Sequence, residues 1–269
     1  MGPAYAWIWW RQDLTIDLTK GATRDQLEIA AARDGEGKGP NMAPKDAATL
    51  IILDGEGDKT KVLMGRRHEG HKFMPGLFVF PGGRVDAGDG SIPATTELEP
   101  VIADKIFNNL RAKPSRRRAR ALGLACLRET YEEAGLLLGE KTENVDLHSD
   151  HPDWMAFAEH KIMPTLDPLR LIARAITPPG RTRRFDAWFF ATPVSHIAHR
   201  LPEGTGPSGE LQELVWVGLD DALDLELPVI TVTVLKELKT RLHEDPTLSP
   251  TTTIPFFHLK GSEFLRKMI

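Results

Sequence analysis

Apolar residues run almost unbroken through AATLIIL (47–53) and KVLMGR (61–66), with the turn-forming DGEGD between them. Runs of this length around a Gly-rich break predict a hairpin of two buried strands. A third run, LFVF (77–80), ends in Pro81, Gly82 and Gly83, residues that stop a strand and let other groups come close to the backbone. LRLIARAIT (169–177) and DAWFFAT (186–192) flank the turn PPGRTRR and predict two further strands, and ELVWVG (213–218) another. Helical spacing marks a short helix around VIADKIFNNL, a long one that opens at Ser115 and stops at Gly135, and the second half of VITVTVLKELKTRLH (229–243). Residues 1–41 carry neither period: Trp7, Trp9 and Trp10 are followed by a polar DGEGKGP stretch. That pattern predicts a poorly ordered tail, removable without loss of activity. After Pro246 the chain is too rich in Pro and Thr to assign. The expected organisation is a tail over 1–41, a folded domain over 42–228 with an insertion at about 90–114, and a C-terminal helical extension over 229–269.

Length and charge narrow this picture. A chain of 269 residues can bury a sizeable core as one domain with appendages. Its 34 Lys and Arg against 38 Asp and Glu give a net charge of −4, with no global basic bias, so nucleic acid is not an expected partner. Cys126 is the single cysteine and cannot form an internal disulfide. No apolar run approaches the roughly 18 to 20 residues that cross a bilayer. AYAWIWW lacks the basic flank and cleavage site of a secretion signal, and the final RKMI is not a peroxisomal Ser-Lys-Leu address. The expectation is a cytoplasmic protein with no membrane partner; oligomeric state is not set by these features.

The long helix carries the chemistry. At 100° per residue Glu129, Glu132 and Glu133 fall within about a 100° arc, so three carboxylates share one face, with Arg128 one turn before Glu132. Like charges so spaced destabilise an isolated helix by a few tenths of a kcal/mol and call for a partner. A hard divalent cation fits: Mg²⁺ takes oxygen ligands and is commonly shared between one or two carboxylates and substrate phosphates. Taken alone, such a run is ordinarily a solvated acidic face.

Its context is specific. Residues 128–136, RETYEEAGL, resemble the second half of the Nudix hydrolase signature at every fixed position, Thr130 being the weakest fit. The first half, a Gly followed six positions later by an acid, is met by Gly83 and Asp89, with Asp in place of the usual Glu. Residues 90–127, 38 in all, then stand where the signature has about seven, an insertion of about 31. FMPGLFVFPGGRVDAGD and TPPGRTRRFDAWFFAT are similar to the long-insert Nudix branch that includes the peroxisomal acyl-coenzyme A diphosphatase. The likeness runs from about Ala47 to Leu223, about two-thirds of the chain. It implies an α/β/α sandwich with a mixed sheet and a Mg²⁺- or Mn²⁺-dependent diphosphatase. Metal ligands would be Glu129, Glu132, Glu133, Asp89 and the Gly82 carbonyl; Glu129 would be a further ligand or the base, and Arg128 would orient it. In that branch's coenzyme A signature Arg67 and Gly76 match, Lys72 stands for Arg, and His68 replaces a small residue; Arg67, Lys72 and Gly76, with Arg184, are the substrate-binding candidates. The implied partner is a small nucleoside diphosphate derivative. Coenzyme A or an acyl-coenzyme A is the first choice, and NADH, ADP-ribose, a dinucleotide or a nucleotide sugar is the alternative. A Nudix domain that senses a ligand without cutting it is the rival of another class.

Three other features bear on the site. Arg111, Lys113, Arg116, Arg117, Arg118 and Arg120 form a basic cluster that could hold a second phosphate, although a solvated helix face is the commoner meaning of such a run. Glu210 and Glu213 stand where many Nudix enzymes place a loop carboxylate, and either could deprotonate water. His68 with His71 and His196 with His199 have no accompanying thiolate, so zinc is not indicated.

Overall fold

The computed structural model describes residues 16–70 and 74–269. It begins with β1 (Ala22–Thr23), α1 (Arg24–Arg33), β2 (Lys45–Asp54), β3 (Lys61–Arg67), β4 (Phe78–Val79) and β5 (Gly82–Arg84). Then come α2 (Pro100–Asn109), α3 (Arg116–Ala134), β6 (Leu136–Leu138), β7 (Glu140–Lys141), α4 (Pro152–Glu159) and β8 (Ile162–Met163). The last part holds β9 (Arg170–Ile176), β10 (Phe185–Pro193), β11 (Ile197–Arg200), β12 (Leu211–Gly218), α5 (Leu219–Ala222), α6 (Val229–Glu244), β13 (Pro255–Lys260) and β14 (Glu263–Met268).

Ten strands form one mixed sheet in the order β1-β14-β13-β9-β10-β2-β3-β12, with β5 paired to β2 and β4 to β3. β2 and β10 run parallel, from Lys45 beside Phe185 to Leu53 beside Pro193, and β10 pairs antiparallel with β9 across the PPGRTRR turn. Side chains of successive residues leave opposite faces of a strand, so these three strands feed two cores. Ala48, Leu50 and Ile52 of β2 join Trp188 and Phe190 under α3 through Leu122, Ala125, Cys126 and Tyr131. Ile51, Phe189 and Ala191 face the other way, against Leu27 and Ala30 of α1 and Val234, Leu235 and Leu238 of α6. The expected α/β/α sandwich with a mixed sheet is the observed architecture.

The long helix is placed as expected. Ser115 accepts from the Arg118 amide at its start, and Gly135, at φ 67°, caps its end. Three arginines of the cluster before its acidic face are held in ion pairs. Arg118 is paired with Asp46 and Arg116 with Asp104, while Arg120 meets Glu97 at 2.7 Å. Arg174, 2 % exposed, lies between the rings of Trp188 and Phe256 and makes two 2.7 Å bonds to Asp186.

Two expectations are corrected. Residues 1–15, with the Trp cluster, lie outside the described residues; residues 16–41 are not a poorly ordered tail. Thr23 and Gln26 form a capping box on α1, Leu27, Ala30 and Ala31 are buried, and β1 pairs with β14. Helix propensity here is reinforced by an apolar stripe at i, i+3 and i+4 that the neighbouring glycines obscure. Residues 229–269 are likewise not only helical. After α6 the chain turns through Gly261 and adds the β13–β14 hairpin to the main sheet beside β9.

Candidate active site

Glu129, Glu132 and Glu133 sit on the last turns of α3, where the helix passes the glycines of β5. A Cβ on Gly83 would overlap the carboxylate of Glu129, so only glycine lets this strand lie so close to the acid. The Gly82 amide donates to Glu133 Oε2 at 2.9 Å, and Leu50 donates to the Pro81 carbonyl at 2.9 Å, which fixes the strand end. The glycines after LFVF thus bring backbone against carboxylate.

These acids form one wall of a cavity of about 1080 Å³. Ala47 and Thr49 of β2 and Ala187 and Phe189 of β10 line its floor, alternate residues of one sheet face. Lys45 and Arg184 lie on the same wall further along the strands, and Leu27, Ala30 and Ala31 of α1 form its roof. Arg181, 2 % exposed, fastens that roof: it bonds Glu28 at 3.0 Å, Glu36 at 3.1 Å and the Leu27 carbonyl at 3.1 Å. Residues expected to be dispensable therefore enclose the site.

Burial raises the proton affinity of the acids. It pushes Glu129 up to about 7, with Glu132 and Asp89 adding to the rise and Arg128 opposing it. Burial also drives Glu133 well above the carboxylate range against the Gly82 amide and Arg67. Glu132 is raised by burial and then by Asp153, which shares a hydrogen bond with it. Arg67 is 3.7 Å from Glu133 and 2.9 Å from Glu210. Four crowded carboxylates thus share Arg128 and Arg67 as neighbouring cations, and this donor set suits a hard divalent cation. As they stand, no three His, Cys, Asp or Glu side chains among the described residues converge on one point to hold an ion; the carboxylates are drawn onto the arginines and the Gly82 amide.

The structure sorts the remaining candidates. Asp89 does not face the cavity. It is 1 % exposed and takes bonds from Arg128 at 3.0 and 3.2 Å, from the Trp154 indole at 3.0 Å and from the Asp86 amide at 2.8 Å. An acid so saturated positions Arg128 rather than a metal. Arg128 in turn meets Glu129 at 2.8 Å and Glu132 at 3.2 Å. Glu210 lines the cavity, whereas Glu213 is exposed on β12 and does not. Arg184 lines it, bonding the Thr177 carbonyl at 3.0 Å. Gly76 is a turn residue at φ 72° away from the cavity, and Lys72 lies outside the described residues. The arginines of the basic cluster do not line it.

Asp153 and His151, at the start of α4, and Asp86 line the cavity beside Glu132. His151 lies 3.4 Å from Asp86 and 3.5 Å from Asp153. Sequence reasoning missed all three: nothing in the spacing of a short helix two turns long links His151 and Asp153 to RETYEEAG, and Asp86 lies between Gly83 and Asp89, outside the fixed positions of the signature.

No family model matches the chain. Among solved structures, a Nudix hydrolase from Alicyclobacillus acidocaldarius is 26 % identical, covers 74 % of this chain and 92 % of its own, and superposes with a TM-score of 0.54. The chain has the Nudix hydrolase fold. The Nudix hydrolase RenU from M. smegmatis, at 17 % identity, covers 78 % of this chain and 98 % of its own with a TM-score of 0.42. A MutT protein from Methanosarcina mazei Go1, also 17 % identical, covers 76 % and 100 % with a TM-score of 0.40. The assignment rests on the first of these. Within the Nudix fold α3 is the Nudix helix, and among the described residues no helix is long and apolar enough to cross a membrane.

Proposed function

We propose that this protein is a divalent-metal-dependent hydrolase that cleaves the diphosphate linkage of a nucleoside diphosphate derivative, with coenzyme A or an acyl-coenzyme A as its substrate. The observation that carries the reading is the set of Glu129, Glu132, Glu133 and Glu210 on one cavity wall, crowded against two arginines. Glu132, Glu133 and Glu129, with the Gly82 carbonyl, would hold Mg²⁺ or Mn²⁺. Bound there, the metal would neutralise charge developing on the bridging and nonbridging phosphate oxygens. Glu210 takes the proton of the attacking water, and Arg67, 2.9 Å away, fixes the orientation of its carboxylate. Arg128, anchored by Asp89, holds Glu129 and Glu132 in register. No covalent intermediate is required.

Coenzyme A is the finer part of the reading. It is supported by the likeness of the stretches around FPGG and PPGRTRR, and by a cavity of about 1080 Å³, just above the roughly 300–1,000 Å³ typical of small-molecule sites. Lys45 and Arg184 on its wall suit the additional phosphate of such a substrate. Cleavage would yield 3′,5′-ADP and a 4′-phosphopantetheine product. A chromatographic panel with Mg²⁺ and coenzyme A, acyl-coenzyme A, NADH, ADP-ribose and a nucleotide sugar tests it. Turnover of NADH or ADP-ribose at least ten times more efficient than of every coenzyme A derivative would remove coenzyme A and leave the diphosphatase. Tight binding of one compound with no turnover of any would make the domain a sensor.

A further inference from the structure

The last carbonyls of a helix have no partner within it, and at the end of the Nudix helix these include the carbonyls of Glu132 and Glu133. A single loop, residues 201–210, satisfies them. Gly206 donates to the Glu133 carbonyl at 3.0 Å, Ser208 to the Glu132 carbonyl at 3.1 Å, and Leu201 to the Gly135 carbonyl at 2.9 Å. The fit is close enough that a Cβ on Gly206 would overlap the Glu132 carbonyl oxygen. Gly206 does not have a left-handed φ, so its place there is a matter of space and not of backbone conformation. Two residues on, the Ser208 hydroxyl accepts from the Glu210 amide at 3.2 Å. The Glu210 carboxylate then reaches Arg67, the same guanidinium that faces Glu133.

We propose that the 201–210 loop, docked on the backbone of the two carboxylate residues it serves, is the positioning element for Glu210, and that Gly206 is the positioning residue on which its placement turns. The idea rests on the reading above, in which Glu210 takes the proton from water. The chain at Glu210 is also tied on its far side, where its carbonyl accepts from the His68 amide at 3.0 Å. Displacing the loop at Gly206 therefore tilts the carboxylate instead of freeing it. A shift of a fraction of an ångström in a proton acceptor lowers the chemical step while leaving substrate binding nearly intact.

The test is a cycle of Gly206→Ala, Ser208→Ala and Glu210→Gln, singly and in pairs, with kcat and KM for coenzyme A, or for ADP-ribose if the panel favours it. Gly206→Ala and Glu210→Gln should each lower kcat about tenfold or more with KM within about threefold, and the pair should be no slower than Glu210→Gln alone, because residues that act through one group do not add. Multiplied losses in the pair, or wild-type kcat in Gly206→Ala, would overturn the positioning role while the hydrolase reading stands. Wild-type kcat in Glu210→Gln would remove Glu210 as the base and the positioning role with it. Should Gly206→Ala fail to fold, exposed Ser208→Ala carries the same cycle: a loss of about threefold that vanishes in the Glu210→Gln background supports the proposal, and one that persists there overturns it.

Discussion

The guanidinium of Arg128 closes on the carboxylate of Asp89, 39 residues earlier in the chain, with Nε 3.0 Å from Oδ1 and Nη2 3.2 Å from Oδ2. Both side chains are almost fully buried, and the pair joins the loop after β5 to the Nudix helix across the start of the insertion. The acid expected to bind metal thus holds the arginine that contacts Glu129 and Glu132.

Breaking this pair should cost stability before it costs chemistry. Removing one partner of a buried ion pair costs about 3–5 kcal/mol when the other is left uncompensated, and about half of that here, where Glu129 and Glu132 stay beside Arg128. Asp89→Asn is expected to lose about that much in urea unfolding, with lower activity following from the released Arg128. A variant of wild-type stability would show that the pair is not the anchor described.

The carboxylates on the cavity wall should behave in the opposite way. Glu132→Gln and Glu133→Gln are expected to lower kcat about 10²- to 10³-fold at saturating Mg²⁺. Their stability should stay level or rise by about 0.5–2 kcal/mol, because crowding and burial already work against their charge. Near wild-type turnover in both variants would sink the metal assignment.

A protein that begins at Met42 should be insoluble or inactive, which reverses the expectation drawn from residues 1–41. Such a truncation strips α1 from the sheet face it covers, exposing the apolar residues beneath it to water, and removes Glu28, Glu36 and the Leu27 carbonyl that hold Arg181 in place. Expression yield, melting temperature and turnover of the shortened chain decide the point, and full activity would place α1 outside the working fold.

His196 gives the protein a measurable acid sensitivity. Its ring lies between Thr165 at 2.7 Å and Thr192 at 2.8 Å, and burial lowers its pKa from 6.5 to about 4. The unfolded chain therefore takes up a proton near pH 6.5 that the folded one refuses until about pH 4. Stability present above pH 6.5 is lost as pH falls through that window, by up to about 3 kcal/mol. Melting curves of wild type and His196→Gln between pH 7 and 4 should show the variant with the shallower decline; parallel declines would clear His196 of the effect.

The sequence by itself determined the elements whose signals are local. The hairpin of β2 and β3, the strand ending in PGG, the N-cap at Ser115, the stop at Gly135 and the common face of Glu129, Glu132 and Glu133 all follow from periodicity and backbone chemistry within a few residues. The Nudix fold was legible in those same residues. Tertiary structure decided which acid faces the cavity and which is buried, because Asp89 and Glu133 are both carboxylates near one motif and only packing puts the first against Arg128 and Trp154 and the second against Gly82. It also chose Glu210 over Glu213 through the 201–210 loop, and brought His151 and Asp153 to the acids from a remote helix. The roof over the cavity is its largest contribution. α1 is short and flanked by glycines, so its weak amphipathic stripe becomes a helix through burial against a sheet whose strands lie far along the chain, and no local signal reports that contact.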